Sequence, residues 1–336
     1  MANQRFTLAC RNYDGTNAIL RGLIKMPGVD LQVKEMSNLA DMFTSMFRGR
    51  LDISEMSLAE LVYYTSRNES DFIGIPVFPS RVFRHGFIFC NSSLNIGGPE
   101  DLNGKKIGFL RWVQTAAIWM RGMLVEEYNL SPRSTQWYIA SMHHWDDDNA
   151  RDEVKPRDGS VIRWVERRGK SAYEHAYLAL SRGEIDALGV TENQLPHIQG
   201  DKRIKRVFEN YKEAEASYFK KTGIFHIMHL VVVRKSVVEQ HPDLPGKLFK
   251  LFSQSKEWAQ EWLRTIPSLG IVWKNQYLDE EREIFQGDPW AYGLENNRHV
   301  IDKFLSYCYA QGVSERKLSP EDLFVPSTWI LTESEG

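Results

Sequence analysis

Residues 105–129, KKIGFLRWVQTAAIWMRGMLVEEYN, constrain this chain more than any other stretch. They predict a short buried strand at Lys106–Leu110, a polar turn at 111–114 and a helix from Thr115 to Tyr128. The strand has an apolar centre, with Gly108 permitting close backbone approach. Thr115 is an acceptable N-cap, and Ala116, Ala117, Met120, Leu124 and Tyr128 recur at helical spacing. Asn129 can close the helix in a left-handed conformation, and Pro132 blocks its extension. Such a unit points backbone N–H groups and a positive dipole end beyond the strand. Arg111 and Thr115 lie in that turn, which suits a carboxylate. The alternative is an ordinary strand–helix unit with a solvated arginine.

The same alternation runs through the earlier sequence. Phe6–Cys10 reads as a strand ending in the polar turn 11–15, followed by a helix through Arg21. Val29–Val33 is the next strand and Leu39–Phe47 the next helix. Residues 51–56 form a short strand running into a helix capped by Ser57, with Glu60 completing a capping box. Phe72–Phe78 is a fourth strand. This β-α-β-α-β-α-β order predicts an α/β domain with a mainly parallel sheet. Pro79–Cys90 reads as an extended crossing in which Arg81, Phe83 and His85 share one face and Arg84 takes the other.

Beyond a turn-rich linker, a second lobe opens at residue 98 with the stretch above. It continues through a strand at Trp137–Met142, a charged insert at 143–172, a helix at Tyr173–Arg182 and a strand at Ile185–Val190. Phe225–Val233, carrying His226 and His229, returns the chain to the first lobe. Helices follow at Leu248–Arg264, Asp279–Phe285 and Asn296–Tyr309. The expected architecture is two α/β lobes, 1–97 with 225–336 and 98–224, with a cleft between hinged domains. Ligands of such sheets sit beyond the carboxyl ends of the strands. That makes Tyr13, Glu55, Ser57, Arg111, Thr115 and Thr191 pocket candidates.

With 336 residues, the chain has room for two cores. Its formal net charge of -2 offers no basic field, which argues against a nucleic-acid partner. No run of about 18 apolar residues occurs, so no membrane span is expected. The opening MANQRFTLAC has no apolar leader segment, which points to the cytoplasm. Cys10, Cys90 and Cys308 lack metal-ligand spacing and read as inert thiols. His143, His144 and Asp146–Asp148 read as a solvated loop rather than a closed metal site, so no metal is assigned. Trp112, Trp119, Trp137 and Trp145 could stack on a ring, but most read as core.

EDLNGKKIGF and RGEIDAL resemble segments of type II periplasmic binding proteins. More specifically, the chain resembles the 4,5-dihydroxyphthalate decarboxylase family, cytoplasmic enzymes built on that fold. The resemblance is carried by PSRVFRHGFIF, QTAAIWMRGMLVEEY, YFKKTGIFHIMHLVV, DPWAYGLENNRHVIDKFLSYCYAQGVS and EDLFVPSTW. The sequence departs from the family pattern at His226, where Pro is expected, and in its longer, more charged insert.

The resemblance implies non-oxidative loss of CO₂ from a hydroxylated aromatic acid, namely 4,5-dihydroxyphthalate to protocatechuate, with no organic cofactor. Glu55 or His229 would then be the base and His85 the acid. Arg81, whose guanidinium fork suits a carboxylate, would form an anion clamp with Arg111 and the Thr115 helix start. Arg11, at the end of the first strand, is a further candidate carboxylate ligand. The implied partner is a small aromatic mono- or dicarboxylate, and the C-terminal helices are candidates for packing between subunits of a homo-oligomer. Two alternatives stand beside this reading. One is a solute-binding protein for an aromatic carboxylate. The other is an enzyme like the pyrimidine-precursor synthases of thiamine biosynthesis, although their cysteine cluster is missing.

Overall fold

The structure, a computed structural model, describes residues 4–141, 153–166, 168, 171–267 and 270–333. Its strands, in chain order, are β1 (Gln4–Cys10), β2 (Val29–Glu35), β3 (Ile53–Ser57), β4 (Phe72–Arg81), β5 (Ile88–Asn91), β6 (Lys106–Phe109), β7 (Gln136–Ile139), β8 (Ile162–Trp164), β9 (Ala187–Gly189), β10 (Ile204–Arg206) and β11 (Ile227–Arg234). They form two sheets in two compact units. One unit comprises Met1–Arg81, Gly223–Asp302 and Ser319–Gly336, the other Val82–Thr222 and Lys303–Leu318.

The first unit carries the sheet β2-β1-β3-β11-β4. β1 pairs in parallel with β2 and β3, whereas β11 runs antiparallel to both β3 and β4. The helices Asp14–Leu20, Leu39–Phe47 and Leu58–Arg67 follow β1, β2 and β3. Every residue of β3 is buried, including Ser54 and Glu55. A carboxylate in such a strand persists only where hydrogen bonds replace its lost hydration. Ser57 is the N-cap of Leu58–Arg67 as expected, but its side chain makes no capping hydrogen bond.

The second unit carries the sheet β10-β5-β9-β6-β7-β8. β6 is parallel to β7 and β9, and β5 is antiparallel to β9 and β10. A β-carbon at Gly108 would come within 2.6 Å of the Ile185 side chain, which explains the glycine in β6. The helix after β6 spans Thr115–Glu127 with Gln114 as N-cap, so Thr115 is its first helical residue rather than its cap. Trp112, Trp119 and Trp137 are fully buried core.

The units divide at different points from those expected. Residues 82–97 belong to the second unit because β5 pairs with β9 and β10. Residues 303–318 join it through Gln311. Its carbonyl accepts from Trp112 Nε1 at 2.8 Å and its side chain accepts from Arg121 Nε at 2.8 Å. The expected extended crossing is also interrupted, since His85–Phe87 forms a 3₁₀ turn. The strand alternation invoked for Arg81, Phe83 and His85 therefore does not apply.

All three cysteines are free and buried, and burial raises the pKa of each thiol. Among the described residues, no helix is long and apolar enough to cross a membrane. The candidate cluster His143–Asp148 and the first three residues lie outside the described residues.

Candidate functional site

The order of the first sheet decides which polar side chains meet. β11 runs against β3 with Val231 opposite Glu55 and His229 opposite Ser57. Glu55 and His229 are therefore diagonal neighbours on one sheet face, where long side chains can touch. β1 lies on the other side of β3, with Ala9 beside Ser54, and its polar turn begins at that same edge. This edge is the carboxyl end of β1, β3 and β4.

Glu55 is the hub. Its Oε1 accepts the Tyr13 hydroxyl at 2.6 Å and Nδ1 of His229 at 2.5 Å, and its Oε2 accepts the backbone N–H of Arg11 at 2.9 Å. Thr16 braces the turn, accepting from the Tyr13 N–H at 2.9 Å and donating to the Arg11 carbonyl at 2.6 Å. The Glu55 side chain is fully buried, whereas His229 keeps 13% of its side chain exposed. Burial alone would raise the Glu55 pKa. The bond and charge of His229, then Tyr13 and the Arg11 N–H, outweigh it and hold the carboxyl below its usual value. Burial, and then the Glu55 charge, raises the Tyr13 pKa, so that phenol stays protonated and donates.

An ionised carboxylate only accepts, so Nδ1 of His229 carries the proton in this pair. That fixes the tautomer and leaves Nε2 as the nitrogen able to take a proton. The ring is further held by Phe43, edge-on at 5.6 Å. Ser80 is paired with His229 across β4 and β11, and its hydroxyl acts against the rise in the Tyr13 pKa. Nothing in the local sequence singles out Ser80, since its place follows from the register of β11.

The structure thus brings Arg11, Tyr13, Glu55, Ser57 and His229 to one edge of one sheet. Arg81 belongs to the same unit but is spent on the interior. Its Nη2 donates to the Ala291 carbonyl at 2.8 Å and to the Asn297 side chain, and its Nη1 to the Phe225 carbonyl at 3.4 Å. Burial lowers its pKa to about 10, still charged at neutral pH. Arg81 therefore ties the end of β4 to the residues preceding and opening the helix Leu294–Ala310, and we do not assign it a substrate carboxylate.

The remaining candidates lie in the second unit. Arg111 and Thr115 are both buried around the start of the helix Thr115–Glu127. Thr191 is engaged locally, its N–H donating to the Gln194 side chain at 2.9 Å. Arg84 pairs with Glu192 at 3.1 Å. His85 has no solvent exposure and sits edge-on to Phe208 and Tyr218, each at 5.1 Å, and to Tyr128 at 6.2 Å. Burial among these rings lowers its pKa to about 3. A neutral, enclosed imidazole is a poor proton donor near pH 7, so the expected acid role is not assigned to it. Among the described residues, no group of three or more His, Cys, Asp or Glu is placed to hold a metal ion.

No protein-family model matches the chain. A 4,5-dihydroxyphthalate decarboxylase of Comamonas testosteroni is 33% identical over 336 residues, 98% of each sequence. A second protein of that name, from Pseudomonas putida, is 32% identical over 138 residues, 41% of this chain and 53% of the relative. Among solved structures, the periplasmic aliphatic sulphonate binding protein SsuA of Escherichia coli matches with a TM-score of 0.58 at 9% identity, covering 98% of this chain and 100% of that one. The putative sulfonate-binding SsuA of Methylobacillus flagellatus KT matches with a TM-score of 0.56 at 13% identity, over 98% and 93%. At such identities the likeness shows the fold alone, which is that of the type II periplasmic binding proteins.

Proposed function

Because the chain belongs to the 4,5-dihydroxyphthalate decarboxylase family, we propose that it removes CO₂ from a hydroxylated aromatic acid, converting 4,5-dihydroxyphthalate to protocatechuate. The observation that carries this reading is the buried Glu55 holding His229 through Nδ1, a geometry that presents Nε2 as a general base.

Direct loss of CO₂ from the ring would leave an aryl carbanion with no electron sink. A hydroxyl para to the leaving carboxylate removes that obstacle. In 4,5-dihydroxyphthalate each carboxylate has one. His229 Nε2 takes the phenol proton, and the electron pair moves into the ring. The carboxyl-bearing carbon then accepts a proton from solvent, giving a dienone. Cleavage of the C–CO₂ bond returns its electron pair to the ring and, through it, to the former phenol oxygen; aromaticity is restored and the phenolate takes its proton back from His229. The sequence consumes one proton per CO₂ released. Glu55 orients the imidazole and stabilises the imidazolium that forms, while Tyr13 and the Arg11 N–H fix Glu55. General base catalysis of this kind contributes about 10²–10⁴-fold.

The fold shared with solute-binding proteins supports a second reading, binding of an aromatic carboxylate without chemistry. One experiment separates the two. Purified protein is incubated, without added cofactor, with 4,5-dihydroxyphthalate and a panel of mono- and dihydroxybenzoates, and CO₂ is followed. Release from 4,5-dihydroxyphthalate supports the decarboxylase. Binding by calorimetry without CO₂ selects the second reading, and neither binding nor release overturns both.

A further inference from the structure

Arg11 brings a cation to this edge of the sheet. Its backbone is tied to Glu55 through N–H and to Thr16 through the carbonyl. Its guanidinium lies over the Tyr13 ring, 5.7 Å from the centroid, in a residue that is half-buried as a whole. Among the described residues it has no carboxylate partner, in contrast to Arg84, which is paired with Glu192. The Nη groups of Arg81 are engaged by two carbonyls and Asn297, deep in the unit. A permanently charged fork thus stands beside the ring whose hydroxyl, on Glu55, completes the His229 device.

Resting on the decarboxylase reading, we propose that Arg11 binds the carboxylate that the substrate keeps and makes the site selective for aromatic ortho-dicarboxylates. The leaving carboxylate loses its charge as CO₂ departs, so a cation gripping it would stabilise the ground state over the transition state and oppose the reaction. The retained carboxylate stays charged throughout. A fork placed there contributes equally to ground and transition states and appears in KM rather than kcat. It also sets the order of events, because protocatechuate has only one carboxylate. To be decarboxylated again, protocatechuate would have to place that group at the leaving position, with nothing left for Arg11.

The test compares wild type with Arg11→Ala, Arg11→Lys and, as a control, Arg5→Ala, whose side chain pairs with Asp30 away from the site. Calorimetric binding of phthalate and benzoate reads the second carboxylate without requiring turnover. Wild type binds phthalate more tightly, and Arg11→Ala weakens phthalate about 10–100-fold, as for loss of a charge-assisted pair, while benzoate changes little. Arg11→Lys falls between, and Arg5→Ala matches wild type. With 4,5-dihydroxyphthalate, KM of Arg11→Ala rises by a similar factor and kcat stays within about threefold. Phthalate binding indifferent to Arg11, or no preference of wild type for phthalate over benzoate, overturns the subsite even where CO₂ is released. Arg11-dependent phthalate binding without CO₂ release supports the subsite and overturns the decarboxylase reading instead.

Discussion

His229 and His85 are the same side chain in opposite settings, one in each unit. His229 keeps an edge in solvent and gives Nδ1 to a buried carboxylate, which fixes its tautomer. His85 is enclosed by Tyr128, Phe208 and Tyr218, and burial drives its pKa to about 3. The first arrangement suits an imidazole that must change charge, the second one that must not. A histidine therefore becomes an acid–base group through the partner the fold supplies, and sequence position alone does not reveal that partner.

The contrast breaks most visibly at Glu55. Glu55→Gln removes the acceptor-only carboxylate, so the amide no longer fixes the His229 tautomer, and kcat/KM falls about 10²–10⁴-fold in a CO₂-release assay. A fall under about tenfold would deny Glu55 its orienting role. At His85 the effect moves from activity to stability. His85→Ala leaves a hole among three rings and lowers unfolding free energy by about 2–4 kcal/mol in urea titrations, with activity per folded molecule near wild type. Lost activity at unchanged stability would restore His85 as a proton shuttle.

The pH dependence of stability sharpens the same comparison. His85 titrates at about 3 when folded against an ordinary histidine value of 6.5, so between those values the unfolded chain binds the extra proton. Stability contributed by the neutral imidazole is complete above 6.5 and declines as pH falls toward 3, by about 1.4 kcal/mol per pH unit. Urea midpoints of His85→Phe between about pH 7 and 4.5 should decline less than those of wild type. Glu55, whose folded pKa is lowered, acts in the same direction but at lower pH. Its stabilisation is present above the unfolded carboxyl pKa and lost as pH falls through the folded one. Tyr13→Phe is the mildest change. It removes one of the three donors to Glu55 and costs about 0.5–1.5 kcal/mol, read as a several-fold lower kcat/KM. An unaltered kcat/KM would remove Tyr13 from the device.

The first three strand–helix pairs were legible in the sequence because caps, apolar periodicity and turn residues are local signals. Glu55 and His229 were legible as polar residues in otherwise apolar strands. Their contact was not, because it joins positions 174 apart and depends on β11 running antiparallel to β3. The three-residue strands β8 and β10 carry too little periodicity to read. The shared face expected for Arg81 and His85 is absent for one reason. A 3₁₀ turn replaces the extended segment that would have aligned them, and the division between the units falls after Arg81.

The measurement that bears most directly on this account is kcat/KM for CO₂ release from 4,5-dihydroxyphthalate by wild type, His229→Ala and His85→Phe, normalised to folded protein. His229→Ala is expected to lose about 10²-fold or more, and His85→Phe to change by no more than about threefold. Full activity in His229→Ala, with activity lost in a folded His85→Phe, would contradict that expectation.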